Sequence, residues 1–301
     1  MSLHTAEFGV EGKRAIVTGA SQGIGRTVAE TLATGGADVA ICSRSQDRVD
    51  PVAEEINEDP DAGECLAVEC NVRERDDVEA FVEATVEAFG GVDILVNNAG
   101  GEFVAAFDDI SPNGWEAIVD LNLTGTFHCT QVAGEAMRGG SENESESENE
   151  SGNGNGSRND GSSASGETAS DAENPGGVVI NMSSVNGQHA APNESHYSAA
   201  KAAIIRLTET LAVEWADHGI RVNCVAPGLV QTPGVAETLG IDESDMPPRE
   251  QVDRRIGHTE DIADVVQFLA SPAAAFVNGE TYTVKGVPRA GNAMSADLGL
   301  E

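Results

Sequence analysis

Thr18-Gly19-Ala20-Ser21-Gln22-Gly23-Ile24-Gly25 joins a short apolar run at residues 14–17 to an amphipathic stretch at 24–34. The apolar run predicts a strand, and the period of the stretch after it predicts a helix. Three glycines on a strand-to-helix turn share one physical use. Gly19 permits the tight turn, Gly23 lets backbone approach a pyrophosphate, and Gly25 lets the helix pack against the strand. The helix amino end then offers its N–H groups and dipole to the anion, with Ser21, Gln22 and Ile24 completing the cradle. The spacing is T-G-x-x-x-G-x-G, with the same physics as the G-x-G-x-x-G loop.

Outward from this loop the alternation continues. Further strands are predicted at 38–42, 64–69, 92–96, 177–182, 221–225 and 281–284, and further helices at 48–57, 76–89, 114–138, 196–218 and 260–269. Strands alternating with helices specify an α/β fold, a doubly wound parallel sheet with helices on both faces. Ligands are then expected beyond the carboxyl ends of the strands. Residues 1–301 read as a single domain, interrupted at about 139–176 by an acidic, Ser-, Asn- and Gly-rich insertion. That segment has almost nothing apolar to bury and is expected to be disordered. It joins a helix end to a strand start, so it belongs at the edge of the sheet opposite the ligand.

The formal charge of -34 disfavours a nucleic-acid partner. The insertion holds nine carboxylates and one arginine, so most of the charge belongs to the folded body. Three lysines against fourteen arginines, with 51 acidic residues, point to adaptation to molar salt, as in a halophile. Five cysteines form no metal-spaced pairs, and no metal site is expected. No signal pattern and no apolar run near 18 residues is present, so a cytoplasmic protein without a membrane partner is expected.

The end of the second strand addresses the adenosine ribose. A carboxylate there would favour a free 2′-hydroxyl, and a basic residue a 2′-phosphate. Ser43-Arg44 therefore predicts NADP(H) over NAD(H). Asn71, beside Val72 after the third strand, could reach the adenine amine through its side-chain oxygen.

Tyr197 and Lys201 stand four residues apart on a predicted helix and share a face. A free phenol has a pKa of about 10, and a nearby cation favours its ionised form. The pair is thus expected to exchange a proton near neutral pH, as carbonyl reduction or alcohol oxidation requires.

Together with Asn97-Asn98-Ala99-Gly100, Asn122, Ser184 and Pro227-Gly228 in this order, these motifs resemble the short-chain dehydrogenase/reductase family over nearly the whole chain. The resemblance implies a seven-stranded Rossmann sheet, usually assembled as a homotetramer or homodimer. It implies Tyr197 as proton donor, Lys201 as the group that tunes it and holds the nicotinamide ribose, and Ser184 as a hydrogen-bond donor to the substrate oxygen. Asn122 would hold a proton-relay water. Asn98, Ala99 and Gly100 would line the cofactor, with Pro227, Gly228, Val230 and Thr232 near its carboxamide end. Asn98–Phe103, Ile110–Trp115 and Asn122–Phe127 are similar to the branch holding enoyl-CoA and dienoyl-CoA reductases, and also appear in 3-oxoacyl and terpenoid alcohol enzymes. The family commonly closes its seventh strand with Asp-Gly-Gly; this chain has Lys285-Gly286-Val287.

The complete Ser-Tyr-Lys set favours reduction of a ketone, such as a 3-oxoacyl thioester, over reduction of a carbon–carbon double bond. A sugar or terpenoid alcohol dehydrogenase is the further enzyme reading. A non-catalytic nucleotide sensor would not need the Tyr–Lys pair. His196 reads as a wall residue because helix neighbours diverge by about 100°. Trp115 and Trp215 read as packing residues, and 235–255 as a lid.

Overall fold

The computed structural model describes residues 7–139, 176–239, 246–254 and 256–287. Seven parallel strands form one sheet in the order β3-β2-β1-β4-β5-β6-β7. They are β1 (Arg14–Thr18), β2 (Asp38–Ser43), β3 (Cys65–Glu69), β4 (Ile94–Asn97), β5 (Gly177–Met182), β6 (Ile220–Pro227) and β7 (Thr281–Val284). The order reverses between β1 and β4, which opens a crevice at their carboxyl ends.

Side-chain alternation along the strands feeds two cores. Ala15 and Val17 of β1 face one side, with Val178 and Ile180 of β5, and Ile16 and Val179 face the other. The first face is covered by α1 (Gly23–Thr34), α2 (Gln46–Asn57) and α8 (Thr259–Ala270), through Leu32, Val49 and Ile262. The second is covered by α3 (Arg75–Phe89), α5 (Gly125–Met137) and α6 (Ser195–Glu214), through Phe81, Cys129 and Ala212. Because both faces are covered, most strands are continuously apolar. Each fully buried Leu or Ile contributes about 1.5–3 kcal/mol relative to exposure.

Two long predicted helices divide. The stretch 114–138 becomes α4 (Pro112–Val119), a π-helical turn over Asp120–Thr124, and α5. It begins early because Ser111 Oγ accepts the Gly114 N–H at 3.1 Å and Pro112 fills the first turn. The stretch 196–218 ends as α6 at Glu214 and finishes in a 3₁₀ turn, Ala216–His218, closed by Gly219 at φ 69°. A further helix, α7 (Pro233–Leu239), occupies the start of the expected lid. Within the expected lid, 240–245 and residue 255 lie outside the described residues, as does nearly all of the predicted insertion. The described residues flanking the insertion follow α5 and precede β5, at the amino edge of the sheet. Trp215 packs as expected, against Gly134 and under the Arg138 guanidinium at 4.9 Å, but Trp115 is 38 % exposed. No helix among the described residues is long and apolar enough to cross a membrane.

Candidate active site

The glycine loop lies between β1 and α1 at the strand-order reversal. Gly19 and Gly23 have φ of 67° and 59°, a left-handed backbone that favours glycine. Gly25 has a different role from the one its spacing suggests. A Cβ there would fall 2.3 Å from Asn98 Nδ2 and 2.6 Å from the Gly19 carbonyl. Its bareness admits the Asn98 side chain, which donates to the carbonyls of Thr18 at 2.9 Å and Gly19 at 3.1 Å. Thr18 Oγ1 in turn accepts the N–H groups of Asn98 and Ala99, both at 3.0 Å. Asn98 therefore ties the β4 end to the glycine loop.

A cavity of about 580 Å³ opens over this loop. Its wall includes the predicted Gly19, Ser21, Gln22, Gly23, Ile24, Gly25, Ser43, Arg44, Val72, Asn98, Ala99, Gly100 and Thr232. Asn71, Tyr197, Lys201, Pro227, Gly228 and Val230, also expected at the cofactor, are not on this wall. Asn71 Oδ1 accepts from the Arg73 backbone and guanidinium at 3.4 and 3.3 Å. Val230 is buried and bridges Gly257. Pro227 ends β6, and the bare Gly228 lets Lys285 approach, since a Cβ would lie 2.7 Å from that side chain's Cβ. Cys42, Ser45, Arg48, Cys70 and Leu121 line the cavity without having been predicted. For Arg48 a signal existed: it lies four residues after Arg44, at the opening of a helix.

The chemistry-bearing side chains meet at the carboxyl ends of β4 and β5. Lys201, only 4 % exposed, reaches back from α6 and donates to the Met182 carbonyl at 2.9 Å. Its ammonium lies over the Tyr197 ring, 5.5 Å from the centroid. A Cβ on Gly100 would be 3.3 Å from Lys201 Nζ and 2.8 Å from Asn122 Oδ1. Gly100 thus brings the cavity wall, Asn122 and Lys201 within reach of one another. Buried Asn122 sits in the π turn and donates to the carbonyls of Gly101 at 2.8 Å and Ile118 at 2.9 Å. Ser184 follows β5, accepts the Asn186 N–H at 3.2 Å, and hydrogen-bonds Tyr197. Behind the site, Asn97, Asn181 and Thr208 form a buried chain, with Asn97 Nδ2 donating to Asn181 Oδ1 at 2.8 Å and Asn181 Nδ2 to Thr208 Oγ1 at 3.0 Å.

The electrostatics correct one expectation. The Tyr197 phenol is raised above its ordinary range, first by burial and then by the charge of Glu102; the Ser184 hydrogen bond opposes this, and Glu194 adds to the rise. Lys201 stands over the ring face, and burial lowers its own ammonium to about 8. At neutral pH the phenol therefore keeps its proton, which is the form that can donate. Desolvation and Glu194 raise Glu102, while Lys201 lowers it. His196 is fully buried, edge-on against Phe103 with centroids 4.3 Å apart, and His189 is exposed.

Comparison with known proteins gives the family. A profile described as short chain dehydrogenase matches residues 13–145, and one described as enoyl-(acyl carrier protein) reductase matches 161–286. A 3-oxoacyl-[acyl-carrier-protein] reductase of Synechocystis is 34 % identical over 275 residues, covering 90 % of this chain and 95 % of the relative. The chain belongs to the short-chain dehydrogenase family. A second family member, a probable 2,4-dienoyl-CoA reductase of Bacillus subtilis, is 31 % identical, with 92 % of this chain and 96 % of the relative covered. Among solved structures, a 7α-hydroxysteroid dehydrogenase complexed with NADH and 7-oxo glycochenodeoxycholic acid superposes with a TM-score of 0.76. It is 28 % identical, covering 96 % of this chain and 99 % of that one. The fold, the family and its oxidoreductase class thus agree with the site. The left-handed glycines and the bare Gly100 wall also fit a dinucleotide of the kind this family binds.

Proposed function

We propose that this enzyme reduces a ketone to a secondary alcohol with NADP(H), and that its substrate is a 3-oxoacyl thioester. The observation that carries this reading is the meeting of Ser184, Tyr197 and Lys201 beside a cavity whose far end presents Arg44. A bound nicotinamide supplies the hydride, and the protein supplies position and a proton. Tyr197 donates that proton to the carbonyl oxygen, and the hydroxyl of Ser184 meets the same oxygen as charge develops. Lys201 holds the nicotinamide ribose, and Asn122 continues the proton path behind it. Relatives named as 3-oxoacyl reductases support the substrate class.

In molar KCl the protein should consume NADPH with acetoacetyl-CoA, faster than NADH, and Tyr197→Phe should lower kcat by about 10²–10⁴. Retained turnover in that variant would remove Tyr197 as donor. The Bacillus relative and the carboxyl-terminal profile favour a second reading, reduction of an enoyl or dienoyl thioester. Crotonyl-CoA consumed faster than acetoacetyl-CoA would establish it. Assembly as a homo-oligomer is part of the proposal, supported by exposed Phe127 on α5 and Val213 on α6.

A further inference from the structure

The adenosine end of the cavity holds two guanidiniums. Arg44 stands just beyond β2, and Arg48 follows it in the first turn of α2; both border the cavity with Ser43 and Ser45. Among the described residues neither pairs with a carboxylate, and that is informative. The chain has 51 carboxylates for 17 Lys and Arg residues, so acidic partners are abundant. Nearby Arg26 pairs with Glu30 and Glu55, and Arg75 with Glu79. Arg48 instead donates to the neutral Gln22 Oε1 at 3.3 Å, and Arg44 meets no carboxylate among the described residues. Glu69, the carboxylate ending neighbouring β3, is committed to α2, accepting the Gln46 N–H at 3.1 Å while its own N–H donates to Gln46 Oε1 at 2.6 Å. Ser43 is likewise tied up, its hydroxyl donating to the Ser45 carbonyl at 3.0 Å. This corner of the cavity therefore carries two positive charges in a strongly acidic molecule.

We propose that Arg48 is a determinant of cofactor specificity, acting with Arg44 as a two-guanidinium clamp on the phosphate monoester of the adenosine ribose. Arg48 also links that phosphate, through Gln22, to the glycine loop under the pyrophosphate. Guanidiniums bind phosphate oxygens with directed, charge-assisted hydrogen bonds, and two can hold one phosphate from different sides. The long bond to Gln22 orients Arg48 along the cavity wall without neutralising it. This inference rests on the NADP(H) reading and extends it to a residue of α2.

The test is calorimetric binding of adenosine 2′,5′-bisphosphate and of 5′-AMP to the full chain in molar KCl, for the unmodified protein, Arg44→Ala, Arg48→Ala and Arg48→Lys. Arg48→Ala should weaken the bisphosphate roughly ten- to hundredfold while changing 5′-AMP less than about twofold. Arg48→Lys should recover part of the loss, because it restores charge without the fork. If the unmodified protein prefers the bisphosphate, Arg44→Ala abolishes that preference and Arg48→Ala keeps it, the clamp is wrong and the NADP(H) reading stands. If the unmodified protein shows no preference, the NADP(H) reading falls and the clamp with it. Equal loss of both ligands in Arg48→Ala would make Arg48 a structural residue and overturn the clamp.

Discussion

Tyr197 illustrates how neighbours decide a residue's chemistry. A phenol four residues from a lysine suggests a depressed pKa, yet burial and Glu102 hold the proton on. The donor form persists until the pH rises through that raised value, so carbonyl reduction should fail only on the alkaline side. Removing the Glu102 charge removes one contribution that raises the phenol. Glu102→Gln is therefore expected to move the alkaline limb of kcat/KM for ketone reduction to lower pH, and to let alcohol oxidation, which needs phenolate, begin at lower pH. Rate profiles measured in both directions check this, and an unmoved limb would separate Glu102 from Tyr197.

At the scale of elements, the glycine loop works because a side chain from another strand passes through it. Asn98 occupies the space that a Gly25 methyl would claim, and it holds two loop carbonyls. Gly25→Ala should displace Asn98 and the loop together, costing about 1–3 kcal/mol of stability and weakening dinucleotide binding. Thermal melts and a binding titration measure both, and a variant with unchanged Tm and Kd would refute the packing role. The same scale marks where sequence patterns stop. A 3.6-residue period over 114–138 cannot announce that Asp120–Thr124 will wind as a π turn, because one extra residue hardly disturbs the apolar pattern. A tertiary bond from Asn122 to Gly101 and a local one to Ile118 hold that turn. The seven strands, by contrast, were legible because burial on both faces leaves continuous apolar runs. Their ends moved by a residue or two at most, in line with the softness of such boundaries.

For the whole molecule the charge of -34 is the dominant fact. Several ion pairs lie near the surface, among them Arg26–Glu30, Arg75–Glu79 and Arg206–Glu209. Such pairs are worth about 0–1 kcal/mol each and weaken further in salt, so they cannot offset the repulsion among the remaining carboxylates. Screening can do so, since the Debye length falls to about 3 Å at 1 M. The protein should lose Tm steadily on dialysis from molar KCl to dilute buffer, followed by circular dichroism. Full stability in dilute buffer would refute adaptation to salt.

Local periodicity and short motifs alone established the order of the seven strands, the glycine loop and the Tyr197–Lys201 spacing. Each of these is written in local periodicity or in a short motif whose geometry its own backbone supplies. The tertiary structure added the burial and the Glu102 charge that raise the Tyr197 phenol, the place of Val230 in the core, the π turn under Asn122, and Arg48 on the cavity wall beside Arg44. Those outcomes depend on desolvation and on partners brought together by the sheet, and neither is encoded in the spacing of the residues concerned.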